Sequence, residues 1–176
     1  MPNLAYLSLG SNIEPEKNLC TAVQLLTQAG TVRAVSCVWE TAPVGFLDQP
    51  NYLNAAILLE TEFTAETLKT TVLQPIEQTL HRVRDENLNA PRTIDIDIAL
   101  FNEEIFTLGK RQIPDPDILT RAFVAISLAE IAPQYRHPVT GQTLAEIAGT
   151  FDSVREEMLK REDIKLQVFL EVKKNS

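Results

Sequence analysis

The chain has 176 residues, enough for one domain with a sizeable core, and its 44% hydrophobic and 23% charged residues exclude disordered and fibrous classes. The formal net charge of −8 argues against a nucleic-acid partner, because such binders usually present a positive face. No apolar run approaches the roughly 20 residues that span a bilayer, and no secretory signal opens the chain, so we expect no membrane partner. Cys20 and Cys37 are expected to be reduced core thiols in a cytoplasmic protein.

The first third of the chain predicts a strand, a helix and two further strands. Strands are predicted at residues 4–9, 31–41 and 52–60, and a loop rich in Pro and Gly at residues 42–50. Between the first two strands, apolar residues after the turn at residues 10–12 recur at helical spacing, which predicts a helix that Gly30 ends.

The middle of the chain predicts a helix, a loop, a strand and a second helix. Thr64 caps the first helix, and Pro75 should kink or restart it because proline removes one backbone hydrogen bond. A mobile polar loop at 82–91 precedes a strand that runs to Phe101, and a short hairpin is predicted to follow with residues 112–113. The next predicted helix starts at Asp117 or Thr120 and ends at Glu130, and a short one spans 143–147.

The order β-α-β-β-α-β predicts an α+β, ferredoxin-like sheet with the helices packed on one face. We place the domain at residues 1–150 and a C-terminal extension at 151–176. Within the extension, 151–161 is predicted to be a charged helix. Residues 164–172 alternate apolar and polar types, which predicts a half-buried strand. That strand would join the edge of its own sheet or pair with a second subunit in a homodimer.

The segment RTIDIDI at residues 92–98 carries the strongest functional signal. Because i and i+2 share a face of a strand, Asp95 and Asp97 should lie side by side while the isoleucines point into a core. Adjacent carboxylates repel, and a divalent cation that also carries phosphate oxygens would neutralise them. The alternative is an amphipathic strand with both acids in solvent, but aspartate is depleted in strands.

Arginines flank the aspartate pair on both sides, at positions 82, 84, 92 and 121, and basic residues also stand at 110 and 111. They form either a solvated basic surface or a set of guanidinium groups for phosphate oxygens, since a guanidinium can donate two hydrogen bonds to one group. Tyr52 and Asn54 also share a strand face. They are either a core pair or the seat of a flat heterocycle that stacks on the ring and bonds to the amide.

Three motifs together resemble 6-hydroxymethyl-7,8-dihydropterin pyrophosphokinases of folate biosynthesis: LSLGSN at 7–12, DQPNYLNAA at 48–56 and APRTIDIDI at 90–98. The resemblance covers about residues 4 to 148. It implies transfer of pyrophosphate from ATP, the co-substrate, to the hydroxymethyl group of the pterin, with release of AMP. It also implies two Mg²⁺ ions held by Asp95 and Asp97, and no protein nucleophile.

The same resemblance implies roles for further residues. Those implied to line the pterin pocket are Thr41, Pro43, Val44, Tyr52, Asn54 and Phe123. Those implied to meet ATP or support its site are Gln74, Glu77, Arg82, Arg84, Arg92, Ile98, Lys110 and Arg121. Arg82, Arg84 and Arg92 are expected to act in catalysis with the two aspartates.

The chain departs from the family pattern at two places. Residues 85–89 are acidic and polar where the family commonly has a basic loop with a tryptophan, and Asp115 stands where many members have histidine. An acid at 115 cannot donate to a phosphate at neutral pH. Two alternatives therefore stay open: a slow or inactive relative that binds pterin or nucleotide, and a metal-dependent nucleotide phosphohydrolase.

Overall fold

A computed structural model describes residues 1–84 and 86–167. The strands of this part are β1 (Asn3–Ser11), β2 (Thr31–Val35), β3 (Trp39–Thr41), β4 (Tyr52–Thr61), β5 (Asp95–Phe101), β6 (Phe106–Leu108), β7 (Arg111–Ile113) and β8 (Leu159–Lys160). Its helices are α1 (Pro15–Leu26), α2 (Ala65–Leu68), α3 (Gln74–Thr79), α4 (Asp117–Thr120), α5 (Ala122–Ile131), α6 (Leu144–Gly149) and α7 (Asp152–Arg155). A π-helical turn, Lys69–Leu73, joins α2 to α3.

The main sheet has the order β5–β1–β4–β3–β8, and β2 pairs with β4 beside β3. Every pairing is antiparallel, and β6 and β7 form a separate hairpin. Because β2 and β3 together make one interrupted strand, the core order is β-α-β-β-α-β. The α+β fold class is confirmed.

Helices cover both faces of the sheet, so the expectation of a single covered face is wrong. Leu7 and Leu9 of β1 pack with α1, α2 and α3 on one face. Tyr6 of β1 and Leu100 of β5 point to the other face, where they pack with α5 and α6. An apolar second face must be buried against another layer, and the helices after residue 116 supply that layer.

Three predicted elements are interrupted, each at an identifiable residue. The predicted strand 31–41 breaks because the Ser36 hydroxyl, rather than a backbone carbonyl, accepts the N–H of Ala56 at 2.8 Å. The second helix passes through the π-helical turn just before Pro75 and restarts as α3, as the proline predicts. The helix predicted to reach Glu130 divides at Arg121, whose backbone is extended (φ −122°, ψ 116°).

The C-terminal segment differs from its prediction. The charged helix expected at 151–161 ends at Arg155, and Leu159 and Lys160 form β8. Residues 164–167 form no strand, although Ile164 and Leu166 are buried in the main core. The rest of the predicted strand, 168–172, lies outside the described residues.

One irregularity lies in the strand with the aspartates. Leu7 of β1 pairs with Ile98, but the preceding Tyr6 pairs with Leu100, so Ala99 is an extra residue in β5. This is a β-bulge. Cys20 and Cys37 are free and half-buried. Within residues 1–84 and 86–167, no helix is both long and apolar enough to cross a membrane.

Candidate active site

Asp95 and Asp97 lie on one face of β5, as the alternation predicts. In the antiparallel register Asp97 is opposite Ser8 and Asp95 is opposite Gly10. Asn54 of β4 pairs with Gly10 from the other side, so these side chains follow one another across the sheet. The residues lie on the face that α5 covers. The helix layer that the one-face prediction lacked, with α5 at its centre, therefore provides the opposite wall of the site.

A cavity of about 470 Å³ opens between this end of the sheet and the start of α5. Of the residues predicted for the site, it is lined by Thr41, Val44, Tyr52, Asn54, Arg92, Asp95, Asp97, Arg121 and Phe123. Ser8, Leu9, Gly10, Ala42, Leu88, Asn89, Arg111, Asp115, Asp117 and Val124 complete the lining. Tyr52 and Asn54, which the sequence suggested as a place for a flat heterocycle, thus share one cavity with the aspartate pair, Arg92 and Arg121.

Each aspartate of the pair has an arginine partner. Arg92 Nη1 lies 2.5 Å from Asp95 Oδ2, and Arg82 Nη2 lies 3.5 Å from Asp95 Oδ1. Arg111 contacts Asp97 through Nη1, and its Nη2 lies 3.9 Å from Asp115 Oδ2. The carboxylates are held by guanidinium groups that are themselves partly exposed to the cavity.

The pKa values of the acids reflect their crowding and burial. Burial, followed by repulsion from Asp95, raises the pKa of Asp97 to about 7, although Arg111 acts in the opposite direction. Burial also raises the pKa of Asp115. Asp115 Oδ1 accepts the backbone N–H of Asp117 at 2.9 Å, so this acid anchors the start of α4. The site therefore favours any additional positive charge beside Asp97.

The carboxylate oxygens of Asp95 and Asp97 fit a hard divalent cation whose remaining ligands are waters or substrate oxygens. Among residues 1–84 and 86–167 no group of three or more His, Cys, Asp or Glu side chains is placed to hold a metal. A pair of carboxylates is nevertheless typical of Mg²⁺ sites, where waters and substrate phosphates supply the remaining oxygens. A cation bound beside Asp97 would offset the burial and the carboxylate repulsion that raise the pKa of this acid.

A second, smaller cavity of about 190 Å³ lies behind the pair and is lined by Gln74, Glu77, Gln78, Arg82 and Arg84. Glu77 is buried, and burial raises its pKa. Its Oε2 lies 3.6 Å from Arg84 Nη2 and 3.9 Å from Arg82 Nε. The Nε of Arg82 is buried and makes no hydrogen bond within the described residues, so it has a free donor.

The Asn54 side chain has a fixed orientation in the larger cavity. Its Nδ2 donates to Thr41 Oγ1 at 2.9 Å and to the carbonyl of Trp39 at 3.2 Å. Both donors of the amide are thereby directed at β3, which leaves Oδ1 as its available acceptor. Tyr52 and Phe123 supply aromatic rings to the same cavity.

The two loops beside the cavity are joined by hydrogen bonds. Gln49 Nε2 donates to the carbonyl of Asn89 at 2.7 Å, and Gln49 Oε1 accepts from Asn12 Nδ2 at 2.8 Å. Asn12 Oδ1 in turn accepts the N–H of Arg92 at 2.8 Å. The family-like motif at 7–12 thus positions the arginine that contacts Asp95. Asp85 of the second loop lies outside the described residues.

Not every residue implied by the resemblance lines a cavity. Pro43 and Ile98 are buried and line neither one, and the Ile98 side chain packs in the main core. Lys110 is exposed, and its neighbour Arg111 enters the cavity instead. Sequence reasoning named Arg111 only among the basic residues beside the aspartate pair and Asp117 only as a possible helix start, and it gave neither a role in the site. The signal for Arg111 was present, since alternation in β7 places 111 and 113 on one face and Ile113 is buried.

The comparisons with known proteins agree with this geometry. The family model for 7,8-dihydro-6-hydroxymethylpterin-pyrophosphokinase matches residues 6–133. A Bacillus subtilis relative named 2-amino-4-hydroxy-6-hydroxymethyldihydropteridine pyrophosphokinase is 43% identical over 144 residues, 80% of this chain and 84% of the relative. A Pseudomonas aeruginosa relative of the same name is 37% identical over 145 residues, 81% of this chain and 88% of the relative.

Solved structures give the same fold. The crystal structure of Plasmodium falciparum HPPK-DHPS with pterin and p-hydroxybenzoate superposes with a TM-score of 0.72 and 16% identity. The superposition covers 91% of this chain but only 45% of that longer one, so it supports the fold alone. The family match and the bacterial relatives show that this chain belongs to the 7,8-dihydro-6-hydroxymethylpterin-pyrophosphokinase family.

Proposed function

We propose that this chain transfers pyrophosphate from ATP to the hydroxymethyl group of 6-hydroxymethyl-7,8-dihydropterin in folate biosynthesis, releasing AMP. The observation that carries the proposal is the Asp95–Asp97 pair, which lies in one cavity with arginines on one side and an aromatic and amide wall on the other. Family membership supports the same reaction.

The pterin is proposed to occupy the wall made by β3, β4 and the start of α5. A flat heterocycle there stacks against Tyr52 and Phe123, while the fixed Oδ1 of Asn54 accepts from its ring nitrogens. Thr41, Pro43 and Val44 complete the proposed subsite. In this pose the hydroxymethyl group points toward the two aspartates.

ATP is proposed to lie along the arginines. Arg92 and Arg121 line the larger cavity, while Gln74, Glu77, Arg82 and Arg84 line the smaller one. Ile98 and Lys110 complete the set that the resemblance implies. Guanidinium groups suit this task because their planar donors bind phosphate oxygens in pairs and stabilise charge in the transition state. The Nε of Arg82, which makes no hydrogen bond within the described residues, supports a phosphate contact.

Two Mg²⁺ ions are the proposed cofactors, and Asp95 and Asp97 would hold them. When bound, the ions neutralise phosphate charge and lower the pKa of the substrate hydroxyl. The chain's own part is to position the reactants. Glu77 fixes β5 through the N–H of Ile96, Asn12 fixes Arg92, and no side chain acts as a nucleophile in the proposed reaction.

The test is an AMP assay with Mg²⁺ and ATP, in the presence and absence of 6-hydroxymethyl-7,8-dihydropterin. Pyrophosphoryl transfer requires AMP to form only with the pterin, one AMP for each pterin converted. AMP without the pterin would instead support the phosphohydrolase. Ligand binding without AMP would support the binding relative, which the acidic Asp115 and the 85–89 loop favour.

Two further expectations from the sequence stay predictions. A cytoplasmic location rests on the reduced thiols. A homodimer through a C-terminal strand rests on residues that lie largely beyond position 167. The apolar residues of that strand that the structure describes, Ile164 and Leu166, pack into their own core.

A further inference from the structure

The C-terminal segment 152–167, which we name the brace, lies outside residues 6–133, the part that matches the family model. Its strand β8 pairs with β3, with Lys160 opposite Trp39 and Leu159 opposite Glu40. Arg161 N donates to the carbonyl of Val38 at 2.9 Å and extends this pairing. The brace therefore covers the outer edge of the strand that carries Thr41.

Arg161 makes the central polar contacts of the brace. Its Nη1 donates to Glu40 Oε2 at 3.0 Å, and its Nε and Nη2 donate to the two oxygens of Asp163 at 2.8 and 2.7 Å. The other oxygen of Glu40 accepts from Asn51 Nδ2 at 3.1 Å. Glu40 thus joins the brace to β3 and to the residue that precedes Tyr52.

Trp39 receives a second set of contacts from the brace. The guanidinium of Arg155 lies 5.5 Å from the centre of the indole, and Met158 packs in the same cluster. On the inner side, Trp39 Nε1 donates to Glu130 Oε1 at 2.8 Å. The indole is held from the brace and from α5 together, and it is 6% exposed.

These contacts bear on the site because β3 orients Asn54. Both bonds from Asn54 Nδ2 go to β3, one to the carbonyl of Trp39 and one to Thr41 Oγ1. β3 has only three residues, and β8 is its second partner in the sheet. A short edge strand without that partner has fewer bonds to keep its register.

We propose that the brace is a built-in wall support for the pterin subsite and that Arg161 is a positioning residue, which acts on pterin recognition through Glu40, β3 and Asn54. The proposal rests on the proposed function. The proposal predicts a different effect on each substrate. The brace touches the strand beside Asn54, whereas the arginines proposed for ATP lie before β5, after α3 and at the start of α5 and, within the described residues, make no hydrogen bond or ion pair with the brace.

The decisive experiment is steady-state kinetics of the full-length Arg161→Met variant. We expect the KM for the pterin to rise about three- to tenfold, the effect of losing charge-assisted hydrogen bonds at a partly buried position. The KM for ATP and kcat should stay within about twofold. Arg161→Lys keeps the charge and one donor to Glu40, so it should restore part of the pterin affinity.

Arg33→Met is the matched control. Arg33 also pairs with a glutamate of the neighbouring strand, with Nε and Nη2 donating to Glu60 at 3.0 and 2.8 Å, but this pair joins β2 to β4 and lines neither cavity. Arg33→Met should change the free energy of unfolding by about as much as Arg161→Met does, but it should leave the KM values for the pterin and for ATP unchanged. Trp39, the single tryptophan, gives an independent readout. Its emission should shift to longer wavelength in Arg161→Met and not in Arg33→Met.

The outcomes separate this proposal from the proposed function. An unchanged pterin KM with unchanged emission in folded Arg161→Met overturns the brace, as does an equal rise in both KM values. If Arg161→Met fails to fold, Glu40→Gln, which removes the charge but keeps a partner for Asn51, gives the same test. If the wild type forms no pterin-dependent AMP, the proposed function fails, and pterin binding with Trp39 emission still decides the role of the brace.

Discussion

Glu77 Oε1 accepts the backbone N–H of Ile96 at 3.0 Å, which ties α3 to the edge strand that carries both aspartates. The N–H lies between Asp95 and Asp97, on a strand that pairs on one side only within residues 1–84 and 86–167. The bond supplies an acceptor of the kind that a neighbouring strand would give, so a buried side chain holds the aspartates in register.

The first prediction concerns this bond. Glu77→Leu leaves the N–H of Ile96 buried without an acceptor and should lower the free energy of unfolding by about 1–3 kcal/mol. Glu77→Gln keeps an amide oxygen that can accept the N–H of Ile96, so its free energy of unfolding should fall less. Urea denaturation of both variants makes the comparison. Equal losses in the two variants would show that the bond is not the stabilising contact.

The second prediction concerns Asp97. Asp97→Asn should lower kcat at least about a hundredfold, because the amide is a poor ligand for a hard cation. The ligand-free variant should be more stable than the wild type by about 1 kcal/mol at pH 8, since it no longer holds a crowded anion. Thermal unfolding and the AMP assay measure the two effects. A stable variant with normal activity would contradict the metal assignment.

The third prediction is the pH dependence of the ligand-free protein. The pKa of Asp97 is raised from 3.8 to about 7, so between these values the native state holds a proton that the unfolded chain has lost. Stability should therefore fall as the pH rises through this window, and Glu77 and Asp115 act in the same direction. Thermal unfolding at pH 5 and pH 8 should show a smaller difference in Asp97→Asn than in the wild type.

The fourth prediction concerns Arg111, which occupies an oxygen of Asp97. Arg111→Gln removes a positive charge from the pair and should strengthen Mn²⁺ binding in the absence of ATP several-fold, measured by titration calorimetry. Arg121→Gln is the control, because Arg121 pairs with Asp117, with Nε 3.3 Å from Oδ2, and not with the aspartate pair. Equal Mn²⁺ affinities in the two variants would contradict competition at Asp97.

The fifth prediction concerns the two loops. Gly45 has φ +80°, and a Cβ there would lie 2.5 Å from Asn89 Nδ2. Gly141 has φ +73° and open space around it. Alanine at either position should cost about 1 kcal/mol of stability from backbone strain. Gly45→Ala alone should also raise the KM for substrates, because it separates the loops. Equal KM values in the two variants would exclude that effect.

Much of the site was predictable because it depends on strand alternation. Asp95 and Asp97 share a face, and so do Tyr52 and Asn54, by the two-residue period alone. The restart at Pro75 follows equally directly from the missing backbone donor. These features depend on local backbone geometry, which can be predicted from neighbouring residues in the sequence.

The features that were missed depend on long-range contacts. Position 111 rather than 110 enters the cavity because Ile113 anchors the hairpin in the core. The second helical layer likewise depends on which face is left uncovered by earlier elements. The interruption at Ser36 depends on a hydroxyl that replaces a backbone acceptor. Neither the second layer nor this interruption leaves a periodic signal.

The extra residue Ala99 has a consequence for how β5 tolerates change. Strict alternation through all seven residues would put Asp95, Asp97 and Phe101 on the same side, whereas Phe101 packs in the cluster opposite to that of Leu100. The bulge places Ala99 and Leu100 together on one side, so Phe101 joins the cluster of Ile96 and Ile98 while the acids line the cavity. Removing Ala99 would restore an unbroken alternation with the remaining side chains on their present sides. The bulge is therefore the point where this strand can lose one residue without moving the acids or the aromatic ring to the other side of the sheet.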